Sequence, residues 1–287
     1  MKKVFLSIFV VTILFALQSC EKVITLKVND GAPLPYIDAW ITDQPGVQTI
    51  RFLQAVNYTD TKEPTPIADA TIKLTDLTSS QVYSFTYANG AYSYDAGSGR
   101  VGFINHRYKL DILYKGVAFT ALDTLKRNTV IDSITSQHKD KDGNHEEGYY
   151  ATFYATDPAG GTDYYWIRTY KNGALNYYAG EMFSIDGSFN ENISDGFEFL
   201  PPFREGITSD EHPYVKGDKV KVLIRSLSKP SYEFGNQMNN QLVSGGLFAT
   251  ILENVPTNVK NQQTGNSLAI YGWFGTVSET WKEKLME

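Results

Sequence analysis

Apolar side chains recur at every second position through segment after segment of this chain. Tyr108, Leu110, Ile112 and Tyr114 alternate with Arg107, Lys109, Asp111 and Leu113. Ala70, Ile72 and Leu74 alternate with Thr71, Lys73 and Thr75, and Val220, Val222 and Ile224 with Lys219, Lys221 and Leu223. Successive side chains of a strand point to opposite faces, so a period of two predicts strands with one face buried. Asn89-Gly90 and Asn172-Gly173 fall between such runs. Both residue types tolerate positive φ, and the pair suits a tight hairpin turn. A helix is predicted at one place. Pro230 and Ser231 open it, Tyr232, Met238 and Leu242 follow at helical spacing, and Gly245-Gly246 closes it. The expected fold class is all-β, with many short strands in a sandwich or barrel and one short helix.

The pattern differs at the N-terminus. Met1-Lys2-Lys3 precedes a 14-residue apolar run over residues 4–17, and Gln18-Ser19-Cys20 follows. A basic start and a short apolar core have the form of a secretory signal. A transmembrane helix needs roughly 17 to 25 apolar residues, so this run is short for a span. Leu17-Gln18-Ser19-Cys20 resembles a bacterial lipobox, in which the thiol is lipidated and the chain is cut before the cysteine. Residues 1–19 are therefore expected to be a signal peptide and Cys20 the lipid attachment point. Several acyl chains, at about 0.8 kcal/mol per buried methylene, make a durable anchor. Cys20 is the only cysteine of the 287 residues, so no internal disulfide can form.

Removal of the leader leaves 268 residues and takes the formal net charge from −6 to −8. An acidic chain offers no basic surface for nucleic acid, and a nucleic-acid partner is not expected. The boundary signal lies near residues 126–128. Strands to about residue 121 precede it, and Val130-Ile131-Asp132-Ser133-Ile134 starts a new set. Two β-rich domains are expected, over residues 20–127 and 128–287, with an exposed polar loop at 138–148.

Motifs with chemical meaning are few. Gly97-Ser98-Gly99-Arg100-Val101-Gly102 matches a dinucleotide-binding fingerprint, but that motif works only between a strand and a helix N-terminus. A strand pattern follows here, so a glycine-rich turn is the expectation. Asp140-Lys141-Asp142-Gly143-Asn144-His145-Glu146-Glu147 has its glycine fourth, where a helix–loop–helix calcium site needs it sixth. A solvated hairpin tip is expected, with a looser calcium site as the alternative. His106, His138, His145 and His212 show no zinc spacing. No nucleophile elbow and no phosphate-binding loop occurs. Neither catalytic residues nor metal ligands nor a cofactor site is assigned, and an enzyme is not expected.

Aromatic pairs are the candidate binding feature. The chain holds 19 tyrosines and 16 phenylalanines, with adjacent rings at Tyr164-Tyr165-Trp166, Tyr177-Tyr178 and Trp273-Phe274. Neighbours on a strand face opposite ways, so some rings point outward wherever one face is solvated. Tyr165, Trp166, Tyr177 and Tyr178 are the candidate binding residues, and a core position is the alternative for each.

In order along the chain, Ala39-Trp40-Ile41-Thr42-Asp43-Gln44-Pro45-Gly46, Ala68-Asp69-Ala70-Thr71-Ile72 and Asn89-Gly90-Ala91-Tyr92 are followed by the 108–114 strand with Gly116 and by Val130-Ile131-Asp132-Ser133-Ile134. Asp163-Tyr164-Tyr165-Trp166, Gly217-Asp218-Lys219-Val220 and Asn254-Val255-Pro256-Thr257-Asn258 come next, then Gly265-Asn266-Ser267-Leu268 and Tyr271-Gly272-Trp273-Phe274. In this order and spacing the chain resembles the Bacteroidota envelope lipoproteins grouped as domain of unknown function 4249. The resemblance implies an immunoglobulin- or transthyretin-like first sandwich and a second β-rich domain. It also implies outer-membrane association and, from genes that often neighbour TonB-dependent receptors, an accessory role in uptake. It carries no catalytic residues. Glu21-Lys22 resembles a reduced surface-export tag, which leaves the leaflet open. The expected function is a lipid-anchored outer-membrane accessory or binding protein, with membrane lipid and a TonB-dependent receptor as partners. A glycan-binding surface lipoprotein is the alternative, and an envelope hydrolase a third.

Overall fold

The structure is a computed structural model, and it describes residues 34–56, 61–191, 193–243 and 255–287. The first strands are β1 (Pro35–Thr42), β2 (Pro45–Gln54), β3 (Thr65–Pro66), β4 (Ala70–Asp76), β5 (Val82–Ala88), β6 (Ala91–Arg100), β7 (Arg107–Tyr114) and β8 (Val117–Thr124). Then come β9 (Ile131–Lys139), β10 (Gly148–Ala155), β11 (Tyr164–Lys171), β12 (Ala174–Leu175), β13 (Met182–Ile185) and β14 (Lys219–Leu227). The last are β15 (Lys260–Asn261), β16 (Tyr271–Val277) and β17 (Glu279–Leu285). Helix α1 (Pro201–Glu205) precedes β14, and α2 (Lys229–Val243) follows it. The chain is all-β, as its alternation predicts. The longer helix falls where expected, and its closing Gly245-Gly246 lies outside the described residues. The five-residue α1 has no periodic signal in the sequence and is held by one buried side chain, Phe203.

The largest sheet runs β15-β8-β7-β4-β5-β6-β2-β1-β16, with β3 on β2. Strand β5 turns this path back on itself. Its first half, Val82 to Phe85, pairs with β4, and Thr86 to Ala88 pair with β6. The two layers so formed share one core. Ile37, Ile41 and Phe52 come from one side and Ile72, Leu110 and Phe119 from the other, all nearly fully buried. Phe52 and Tyr114 meet edge-on across it, centroids 5.1 Å apart. Each such ring contributes roughly 1.5–3 kcal/mol through removal of apolar surface from water.

A smaller pair of layers follows. Strands β9 and β10 form a two-stranded sheet, and β12-β11-β14-β17, with β13 on β11, form a five-stranded one. Ile134, Phe153, Ile167, Phe199, Val222 and Ile224 belong to the core they share.

The expected division at 127/128 is crossed by the chain. Strand β16 pairs in parallel with β1, Tyr36 opposite Tyr271 through Thr42 opposite Val277, and β15 pairs with β8. Residues from the last tenth of the sequence thus close the first sandwich. A single residue, Ser278, then separates β16 from β17 of the smaller sheet. Asp43 binds both sides of that crossing, accepting the Ser278 hydroxyl at 2.6 Å and the Glu279 N–H at 2.9 Å.

Candidate binding cleft

Trp40 alternates outward from the β1 core face and lies opposite Gly275 of β16. Its indole covers that glycine, and a Cβ at Gly275 would collide with the ring. Trp40 then meets Trp166 of β11 at 5.4 Å between centroids. Trp166 stacks on Phe183 of β13, its direct cross-strand partner, at 5.7 Å and 12°. Phe183 in turn lies where a Cβ of Gly235 in α2 would sit, so helix and sheet approach closely there. On the far side Phe234 stacks on Trp273 at 4.5 Å and 18°. The Trp273 indole is fixed by an Nε1 hydrogen bond to the Ser231 hydroxyl at 2.9 Å.

These rings enclose a cleft of about 320 Å³ between the first sandwich, β11–β13 and α2. Tyr36, Trp40, Trp166, Phe183, Phe234 and Trp273 supply the walls, and Met238 and Leu242 of α2 the lip. Its polar groups are few and placed. Glu181 accepts Trp166 Nε1 at 2.9 Å and pairs with Arg168 at 2.8 Å. The Arg168 and Arg225 guanidinium groups lie 4.7 and 5.0 Å from the Trp166 ring centroid. Cation–π contact and an indole hydrogen bond thus hold Trp166 in one orientation. Asp38 marks the opposite rim. A largely apolar cavity with a few fixed polar groups is the usual form of a small-molecule site.

The sequence-predicted binding residues separate. Trp166 lines the cleft and is half-buried. Tyr165 is a correction: at 0% exposure it is core, not contact surface. The alternation is right, but β9–β10 cover the face of β11 to which Tyr165 points. Its hydroxyl donates to Asp157 at 2.6 Å. Tyr177 and Tyr178 are 83% and 65% exposed. They sit in a turn and not on the expected strand, because β12 ends at Leu175. Tyr178 packs on His212 with centroids 3.8 Å apart. Neither tyrosine reaches the cleft around Trp166. Sequence reasoning missed Trp40, Phe183 and Phe234, whose roles depend on three chain segments meeting. Cys20 lies outside the described residues.

Among the described residues, Asp157, Asp163 and Asp186 form the one carboxylate group close enough to hold a metal, their oxygens within 4.8 Å of one another. Protein donors already serve them. Arg127 bridges to Asp163 at 2.7 Å, Tyr165 donates to Asp157, and the Asp163 N–H donates to Asp186 at 2.6 Å. The loop expected as a solvated hairpin tip is a turn closed on itself: Asp142 accepts the N–H groups of Asn144 and His145 at 2.7 and 2.9 Å. His138 belongs to β9 and not to that loop. Gly97 and Gly99 lie in the end of strand β6 and not in the expected glycine-rich turn, and strand β7 follows where a dinucleotide site would need a helix.

The match of the chain to known families spans nearly all of this architecture, stopping within β17. Residues 21–283 match the domain of unknown function DUF4249. The chain belongs to the DUF4249 family. That match takes in both sandwiches and every wall of the cleft, so the aromatic cleft lies inside a DUF4249 domain. No curated protein matches the chain. No helix among the described residues is long and apolar enough to cross a membrane.

Proposed function

We propose that this DUF4249 protein is a lipid-anchored binding protein of the outer membrane, acting as an accessory to a TonB-dependent receptor in uptake. The aromatic cleft carries the reading. A cavity of about 320 Å³ walled by rings and rimmed by Asp38 and Glu181 suits a ligand with an apolar or planar body. The lipobox form of residues 17–20 supports the anchor. Exposed Tyr177 and Tyr178 favour a second reading, in which outward rings stack on a glycan.

The neutral dye N-phenyl-1-naphthylamine tests the cleft. Its binding should saturate, quench tryptophan fluorescence, and weaken about tenfold or more in Trp166→Ala, as truncation at a hot spot does. Met238→Gln, at the exposed lip, should weaken it without loss of fold. Tyr177→Ala and Tyr178→Ala should leave it unchanged. Equal dye binding by all four variants would remove the cleft from the proposal. For the anchor, Cys20→Ala should leave the membrane fraction, and the wild-type lipoprotein captured from native membranes should bring a TonB-dependent receptor with it.

A further inference from the structure

A second cleft, at the base of α2, has the opposite chemistry. Its volume is about 560 Å³, and it lies between the outward side of β7–β8, the loop 160–163 and the first residues of α2. Four cationic side chains line it, Arg107, Lys126, Arg127 and Lys229, in a chain of formal net charge −6. They differ in what they already hold.

Arg127 is committed to the wall. It binds Asp163 through Nε and Nη2 at 2.8 and 2.7 Å, and its N–H groups reach the carbonyls of Pro158, Ala159 and Gly161 at 2.6, 3.2 and 3.3 Å. It pins the loop in place. Lys229 pairs with Glu191 at 3.0 Å, but both side chains are about half exposed and water weakens that pair. Among the described residues, neither Arg107 nor Lys126 has a carboxylate within salt-bridge distance. The β7–β8 register brings them together, since Arg107 lies opposite Thr124, two residues before Lys126.

The two acids of this cleft do not neutralise that pair. Asp163 is held by Arg127. Asp123 turns inward, accepting the Thr276 N–H at 2.7 Å, the Thr276 hydroxyl at 3.2 Å and the Ser231 hydroxyl at 3.3 Å. The start of the 15-residue α2 also borders the cleft and adds the positive end of its dipole. Leu122 and Tyr164 provide an apolar flank.

We infer that this cleft binds an anionic small molecule, with its carboxylate or phosphate held between Arg107 and Lys126 and its body against Leu122 and Tyr164. The site is separate from the aromatic cleft and does not depend on what that cleft binds.

Calorimetric titration of the full mature chain with inorganic phosphate and with glucuronate, each against sodium chloride at matched ionic strength, tests it. At least one probe should bind saturably where chloride does not. Binding should weaken about tenfold or more in Arg107→Gln/Lys126→Gln, because charge-assisted hydrogen bonds are lost. Lys62→Glu, away from the cleft, should bind as wild type. Both neutralised side chains are exposed, so circular dichroism should show the fold intact in the double variant. Saturation by phosphate alone, or by glucuronate alone, supports the site and names its preferred headgroup. A response to both probes no larger than that to chloride overturns the inference, as does binding that the double variant retains in full.

Discussion

Asp157 lies 1% exposed beneath the Tyr165 hydroxyl, with Asp163 and Asp186 as neighbours. Burial pushes its pKa up from 3.8 to about 6, and the two nearby carboxylates push the same way. The unfolded chain releases this proton near pH 4, while the folded chain keeps it to about pH 6. Stability is therefore lost as pH rises through that window, and the whole penalty is present above it. Asp157→Asn cannot ionise yet still offers an oxygen to Tyr165. Its stability advantage over wild type should grow by about 1–3 kcal/mol between pH 4 and pH 7.5, measured by urea unfolding at both. A difference constant with pH would mean that Asp157 titrates normally. At this scale the sequence reveals that Tyr165 and Trp166 face opposite ways. It does not reveal which face is covered, because the covering strands β9 and β10 begin more than ten residues upstream.

Strand β16 carries Gly272 with φ +85°, where a Cβ would collide with the Ile37 carbonyl of β1. Only glycine combines that backbone angle with so close a parallel neighbour. Gly272→Ala should therefore cost more than the ordinary 1–3 kcal/mol of a strained backbone position, since the β1–β16 ladder must move as well. Chemical denaturation should show an early transition, and the dye should bind more weakly because Gly272 also lines the aromatic cleft. Wild-type stability in this variant would show that the ladder relaxes freely. Elements were the most legible level of this chain. Period-two alternation marks β4, β7 and β14, and Asn89 and Asn172 do adopt positive φ at their hairpin turns. Strand length was less legible: β12 stops at Leu175, Asn176 makes one more backbone bond to the Thr169 carbonyl at 2.8 Å, and β13 takes up that edge of β11 further along. Partnerships were not legible, since no local pattern tells β1 that its neighbour lies some 235 positions away.

The whole molecule departs most from its sequence-level outline. A fragment of residues 21–127 would keep eight strands but lose Val259, Ile270 and Phe274 from the first core, along with both edge strands supplied by β15 and β16. It should be poorly soluble and unfold without cooperativity, as followed by circular dichroism. Cooperative unfolding of that fragment would show that the late strands are decoration. The parallel pairing of β1 with β16 has a temporal consequence as well. Contacts between distant parts of a chain form slowly, because loop closure must precede them. The first strand to emerge during synthesis must wait for nearly the last, and until then the sandwich stays open at that edge. The lipid-anchored role proposed above requires the chain to cross a membrane unfolded, and under that proposal a fold whose closing piece arrives last would delay its own completion until passage is over.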